Sequence, residues 1–236
     1  MGRIVVPHED RSDRAANAGF ELQPGAVPRS MKTERIILIP GLGIAGLDLL
    51  PLAFRLRGKG YRVSVFWHFI GRPTLEESAR RLFEMAGRQE EEVVHFVGHS
   101  LGGIVALRML ADHPWDRPGR IVTLGTPHAG ITAARRFARL PGSRALLGAG
   151  LLSATDADPI AIPQGRELGV VTGSRTRFYG GWLVPGQQND SIIGVDETQH
   201  PGSRARVTVA ETHRGLVLKA SVAAQIDLFL REGRFD

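Results

Sequence analysis

The stretch EEVVHFVGHSLGGIVALRMLAD, residues 91–112, leaves the chain few ways to fold. Val93, Val94, Phe96 and Val97 read as a fully buried strand, and Ile104 to Leu110 as a helix with an apolar stripe. No ordinary turn sequence lies between them, so the strand must pass almost directly into the helix. A corner of that kind forces its central residue into a strained backbone conformation, often with positive φ. Gly98 and Gly102 lack a Cβ and so relieve the crowding where the two segments pass each other. The residue left at the tip is Ser100, beside the first free N–H groups of the helix.

From Glu34 onward the chain repeats this alternation. Strands are expected over Arg35–Ile39, Tyr61–Trp67, Val93–Val97, Arg120–Leu124, Leu168–Thr172 and Arg206–Val209. Helices are expected over Gly46–Arg57, Thr74–Arg88, Leu101–Asp112, part of Ile131–Leu147, and Gly215–Glu232. Short strands of buried type alternating with helices imply an α/β fold: a mostly parallel central sheet with helices on both faces. Such sheets bind ligands at the carboxyl ends of their strands. Residues 1–30 are rich in Arg, Asp, Ala, Gly and Pro with little apolar periodicity, and read as a flexible N-terminal extension ahead of one domain over residues 31–236. The interval Gly130 to Glu167 is too short for a large inserted cap domain.

The corner matches the pattern G-x-S-x-G in the strand–turn–helix setting where that pattern acts as a nucleophile elbow. Taken with IILIPGLG (residues 36–43), LGTPHAG (124–130), Asn189–Asp190 and THRGL (212–216), it resembles the α/β-hydrolase superfamily, in its small lipase/esterase, triacylglycerol-lipase-like branch. The resemblance spans most of the chain from about residue 35. It implies an acyl-transfer site in the chain order serine, acid, histidine. Ser100 is then the nucleophile and His213, between the last strand and the C-terminal helix, its base. The acid is expected in the loop after Thr172, where Asp190 fits the family's Asn-Asp-Gly loop with Ser191 in place of the glycine. Asp196 is the rival in the same loop, and Asp156 and Asp158 follow it. The oxyanion donors implied are the backbone N–H groups of Leu101 and Leu42. Pro40 stands where the family usually has histidine.

His8, His68, His95, His113 and His200 lie away from the loops expected to carry chemistry. His99 should point away from the site, because adjacent side chains diverge, and His128 reads as structural. Apolar residues at Gly43–Leu50, Trp67–Ile70 and Ala149–Leu152 are candidates for an acyl pocket.

The reading is a serine hydrolase cleaving carboxylic esters of a small molecule or lipid, through an acyl-enzyme and with no cofactor. A thioesterase or amidase with the same triad, or a non-catalytic binding module on a hydrolase scaffold, are the alternatives. Composition limits others. With no cysteine there is no disulfide, thiol nucleophile or thiolate metal site, and the eight histidines show no metal-ligand spacing. The net charge of +6 is spread among 24 acids without a long basic run, so nucleic acid is not an expected partner. One segment, Ile131–Leu152, carries Arg135, Arg136, Arg139 and Arg144 and no acid, a pattern compatible with contact with a lipid or anionic interface. The opening residues lack a signal-peptide core, and the apolar run from Ile36 to Phe54 is broken by Pro and Gly, so a cytoplasmic location is expected.

Overall fold

The computed structural model describes residues 33–42, 46–68, 73–137, 159–177, 182 and 184–236. The apolar runs form strands β1 (Arg35–Ile39), β2 (Arg62–Val65), β3 (Val94–His99), β4 (Ile121–Leu124), β5 (Leu168–Gly173) and β6 (Ala205–Val209). They make one sheet in the order β2-β1-β3-β4-β5-β6, and every neighbouring pair is parallel. The expected strands fall within two residues of these bounds. The sheet is more regular than expected, being parallel throughout among the described residues.

The helices are α1 (Leu50–Arg57), α2 (Leu75–Gly87), α3 (Leu101–Asp112), α4 (Thr132–Phe137), α5 (Gly215–Leu218) and α6 (Ala220–Glu232), with a 3-10 turn over Leu47–Leu49 leading into α1. Thr74 starts α2 by accepting a hydrogen bond from the Glu77 N–H at 3.1 Å. One helix was expected over Gly215–Glu232, but Lys219 is extended (φ −92°, ψ 139°) and divides it into α5 and α6. Neither glycine nor proline marks that break.

Alternation along the strands sorts the core into two layers. Ile37 and Ile39 pack with Ala79, Leu82 and Leu107 beneath α2 and α3. Ile36 and Leu38 pack on the other face with Leu52, Leu56, Ile226 and Phe229 of α1 and α6. Burial on both faces explains why the strands read as unbroken apolar runs. Among the described residues, no helix is long and apolar enough to cross a membrane. The expected extension over residues 1–30, the helical part of 138–147, and the rival acids Asp156 and Asp158 lie outside the described residues.

At the corner between β3 and α3 the backbones nearly touch. A Cβ on Gly98 would stand 2.4 Å from the Gly103 nitrogen, and one on Gly102 2.3 Å from the Ile39 carbonyl oxygen. Both obstacles are backbone, which cannot step aside as a flexible side chain can. Gly102→Ala should therefore destabilise the fold by about 3 kcal/mol or more. Gly87→Ala, at the end of α2 with nothing within 4 Å of the new Cβ, should be neutral or stabilising by up to about 1 kcal/mol. Urea unfolding of the two variants checks the contrast.

Candidate active site

Ser100 sits at the corner with φ 53° and ψ −127°. A non-glycine residue in that region is strained, and three hydrogen bonds hold it there. The Ser100 N–H donates to the Leu124 carbonyl at 2.8 Å, and the Ser100 carbonyl accepts from the Gly103 N–H at 3.1 Å and the Thr126 hydroxyl at 2.8 Å. The loop after β1 closes over the serine. A Cβ on Gly41 would lie 2.7 Å from the Ser100 Cβ and 3.3 Å from its Oγ. Leu42 follows immediately, and its side chain is exposed. The Leu101 N–H is the first of α3, ahead of any intrahelical acceptor.

His213 and Asp190 arrive from the loops after β6 and β5. His213 Nδ1 and Asp190 Oδ2 are 2.6 Å apart, and the His213 N–H also donates to the Asp190 carbonyl at 2.8 Å. The carboxylate can only accept, so Nδ1 carries the proton and Nε2 is left with a lone pair. The other carboxylate oxygen, Oδ1, accepts the N–H groups of Ile192 (3.0 Å) and Ile193 (2.8 Å). Asp190 is thus buried with both oxygens engaged. Asn189 shapes the turn. Its amide donates to the Val184 and Gln187 carbonyls, and its Oδ1 accepts the Ser191 N–H at 3.0 Å. Ser191, at the position expected to favour glycine, has φ 94°. It tolerates this with its hydroxyl oxygen accepting the Arg177 N–H at 2.7 Å.

Two contacts bring this pair to the serine. Gly125, next to the Leu124 carbonyl that holds Ser100, lies beneath the pair. A Cβ there would be 3.0 Å from Asp190 Oδ2 and 3.1 Å from His213 Nδ1. The second contact comes from His99, beside Ser100. Its Nε2 lies 3.0 Å from the His213 carbonyl oxygen, and the two rings are 4.7 Å apart. His99 was expected to point elsewhere. It does diverge from Ser100, but the divergence aims it at His213 because the loop after β6 folds back across the end of β3.

Asp196 is exposed and accepts from the Gln199 amide at 3.2 Å; among the described residues it makes no hydrogen bond or ion pair with a histidine. Its neighbour Glu197 is buried. Glu197 accepts the N–H of Thr132, at the start of α4, the N–H of Gly194 at 2.7 Å, and through its carbonyl the Ala129 N–H at 2.9 Å. It therefore staples the acid loop to the loop after β4. Thr126 is a support of the site that the sequence does not single out, whereas Glu197 bonds its loop as its place beside Asp196 suggests. His128 bonds Thr123 Oγ1 at 3.0 Å and packs its ring edge-on against His200. His95 lies within β3 and accepts the Arg120 N–H at 2.9 Å, and His113 stacks on Phe83. Of the expected pocket segments, residues 43–45, 69–70 and 149–152 lie outside the described residues; Leu49 is in the core, whereas Leu47, Leu50 and Trp67 are exposed.

A family model described as a PGAP1-like alpha/beta domain matches residues 74–138, the span that holds β3, the corner, α3 and β4. Solved structures match over more of the chain. A mature lipase from Bacillus licheniformis is similar at 16% identity and TM-score 0.66, covering 85% of this chain and 92% of that one. A metagenomic carboxyl esterase is similar at 18% identity and TM-score 0.62, covering 90% and 82%. A Bacillus subtilis carboxylesterase follows at 15% identity and TM-score 0.51, covering 86% and 85%. The chain has the α/β-hydrolase fold. Within that fold, the corner after β3 and the loops after β5 and β6 stand at the carboxyl edge of the sheet, where this architecture places its ligands.

Burial pushes His99 and His128 down to about 3, with the neighbouring His213 and His200 as the respective second causes. In the unfolded chain each takes up a proton near the usual 6.5. Unfolding is therefore proton-consuming between about pH 6.5 and 3, and stability should fall as pH drops through that window. The slope is about 1.4 kcal/mol per pH unit for each histidine. Urea-unfolding free energies measured across that window should flatten by one such increment in His99→Gln and again in the double variant with His128→Gln.

Proposed function

We propose that the chain is a serine hydrolase that cleaves carboxylic esters, with a small-molecule ester or a lipid as substrate. The observation that carries this reading is the 2.6 Å contact between His213 Nδ1 and Asp190 Oδ2, held against the strained Ser100 corner. The lone pair on His213 Nε2 takes the Ser100 hydroxyl proton as Oγ attacks the ester carbonyl. The N–H groups of Leu101 and Leu42 receive the oxyanion. His213 then returns the proton to the departing alcohol, leaving an acyl-enzyme, and activates water to release the acid. Asp190 holds the productive tautomer and offsets the charge of the imidazolium, with its own charge steadied by the Ile192 and Ile193 amides. The likeness to lipases and carboxyl esterases supports an ester over the thioester or amide that the same residues could serve.

Turnover of p-nitrophenyl acetate and butyrate tests the proposal. Ser100→Ala should abolish it and leave the thermal melt unchanged or slightly raised, since relief of backbone strain offsets the lost hydroxyl. Asp190→Asn should lower kcat by about 10⁴-fold, the scale for a triad acid whose loss leaves the wrong tautomer. Asp196→Asn should leave kcat nearly intact and shift stability by about 1 kcal/mol at most. The reverse pattern would transfer the acid to Asp196.

A further inference from the structure

The 3-10 turn and α1 bury Leu49, Leu52, Ala53 and Leu56, as a surface helix should. Their outward side is apolar too. Leu47 is 57% exposed, Leu50 41% and Phe54 78%. Spacings of three and four place these side chains in one line along the helix. α5 packs against both the turn and α1 and adds Leu218, 41% exposed. Contiguous apolar surface of this kind marks a site of association.

Charge identifies the occupant. Arg55 and Arg57 on α1, and Arg214 and Lys219 at the two ends of α5, have no carboxylate partner among the described residues. The one acid in these segments, Asp48, is largely buried, its carboxylate 3.9 Å from His99 Nδ1. A second copy docking here about a two-fold axis would bring these cations against their own counterparts. An anionic lipid surface would meet them with phosphate and take the apolar line between its headgroups. The place fits as well. The turn follows the loop that carries Leu42, and α5 directly follows His213.

We infer that the face formed by Leu47, Leu50, Phe54 and Leu218, with Arg55, Arg57, Arg214 and Lys219, docks on an anionic phospholipid bilayer. Docking there sets the Ser100 corner at the lipid surface; only this consequence, an ester drawn from the bilayer, rests on the hydrolase reading. The binding does not.

The full chain carrying Ser100→Ala is sedimented with phosphatidylcholine vesicles, with and without phosphatidylglycerol. It should bind the anionic vesicles, and less so at high salt. Leu50→Gln/Phe54→Gln, and separately Lys219→Glu, should weaken binding, the double apolar variant by about tenfold; each cation near an anionic surface is expected to contribute about fivefold. In an otherwise native chain Lys219→Glu, and Phe54→Gln without the change at Leu50, should keep the melting temperature and the turnover of soluble p-nitrophenyl butyrate. Absence of binding, equal binding to both vesicle types, or binding that survives both variants overturns the inference. So does dimerisation that Leu50→Gln/Phe54→Gln abolishes without any vesicle binding, which would give the face to a second copy. If butyrate is not hydrolysed while anionic vesicles bind, the hydrolase reading fails and this one stands.

Discussion

The close approach of α3 to the last carbonyl of β1 is the constraint on which the rest of the site depends. It is open only to a chain without a side chain at residue 102, and the crossing of β3 by the first turn of α3 makes the same demand of residue 98. With those two positions bare, the strand turns into the helix at one residue, and that residue is driven to φ 53°. Its strain is offset by bonds from outside the corner, the Leu124 carbonyl and the Thr126 hydroxyl of the neighbouring strand and loop. The corner is therefore a property of three strands together, not of the G-x-S-x-G segment alone.

The electrostatics of the site follow from which groups have room to carry charge. Asp190 is buried, yet each of its oxygens is met by a donor, so an ionised carboxylate there is compensated. His99 has one acceptor, the His213 carbonyl, and no hydrogen-bond partner for Nδ1 among the described residues. Burial and the adjacent ring hold it neutral. Of the two neighbouring imidazoles, then, only His213 faces a carboxylate at hydrogen-bond distance.

Much of this was legible in the sequence, for identifiable reasons. The strands are buried on both faces, so each appears as an apolar run, and the crowded corner betrays itself by its glycines. His213 and Asp190 could be singled out once chain order and the Asn-Asp turn were weighed together. What escaped the sequence is tertiary. His99 sits next to the serine in the chain, but its orientation is decided by a loop 114 residues away. Glu197 looks like one more loop carboxylate, and only the fold shows that it accepts the N–H groups of Ala129 and Thr132 after β4 as well as that of Gly194 in its own loop. Ser191 adopts a glycine's φ because Asn189 and Arg177 hold it, which its identity alone could not announce. The extended Lys219 likewise interrupts a continuous helical pattern without any breaker residue.

The proposed mechanism requires that one hydroxyl among the many serines and threonines of this chain be activated. Labelling with a fluorophosphonate, followed by peptide mapping, tests it most directly, because such reagents react with a serine only where a base and an oxyanion site stand beside it. A single adduct is expected, on the peptide that contains Ser100, and it should be lost when His213→Ala removes the base. An adduct on another serine, or no adduct on the folded wild-type protein, would contradict it.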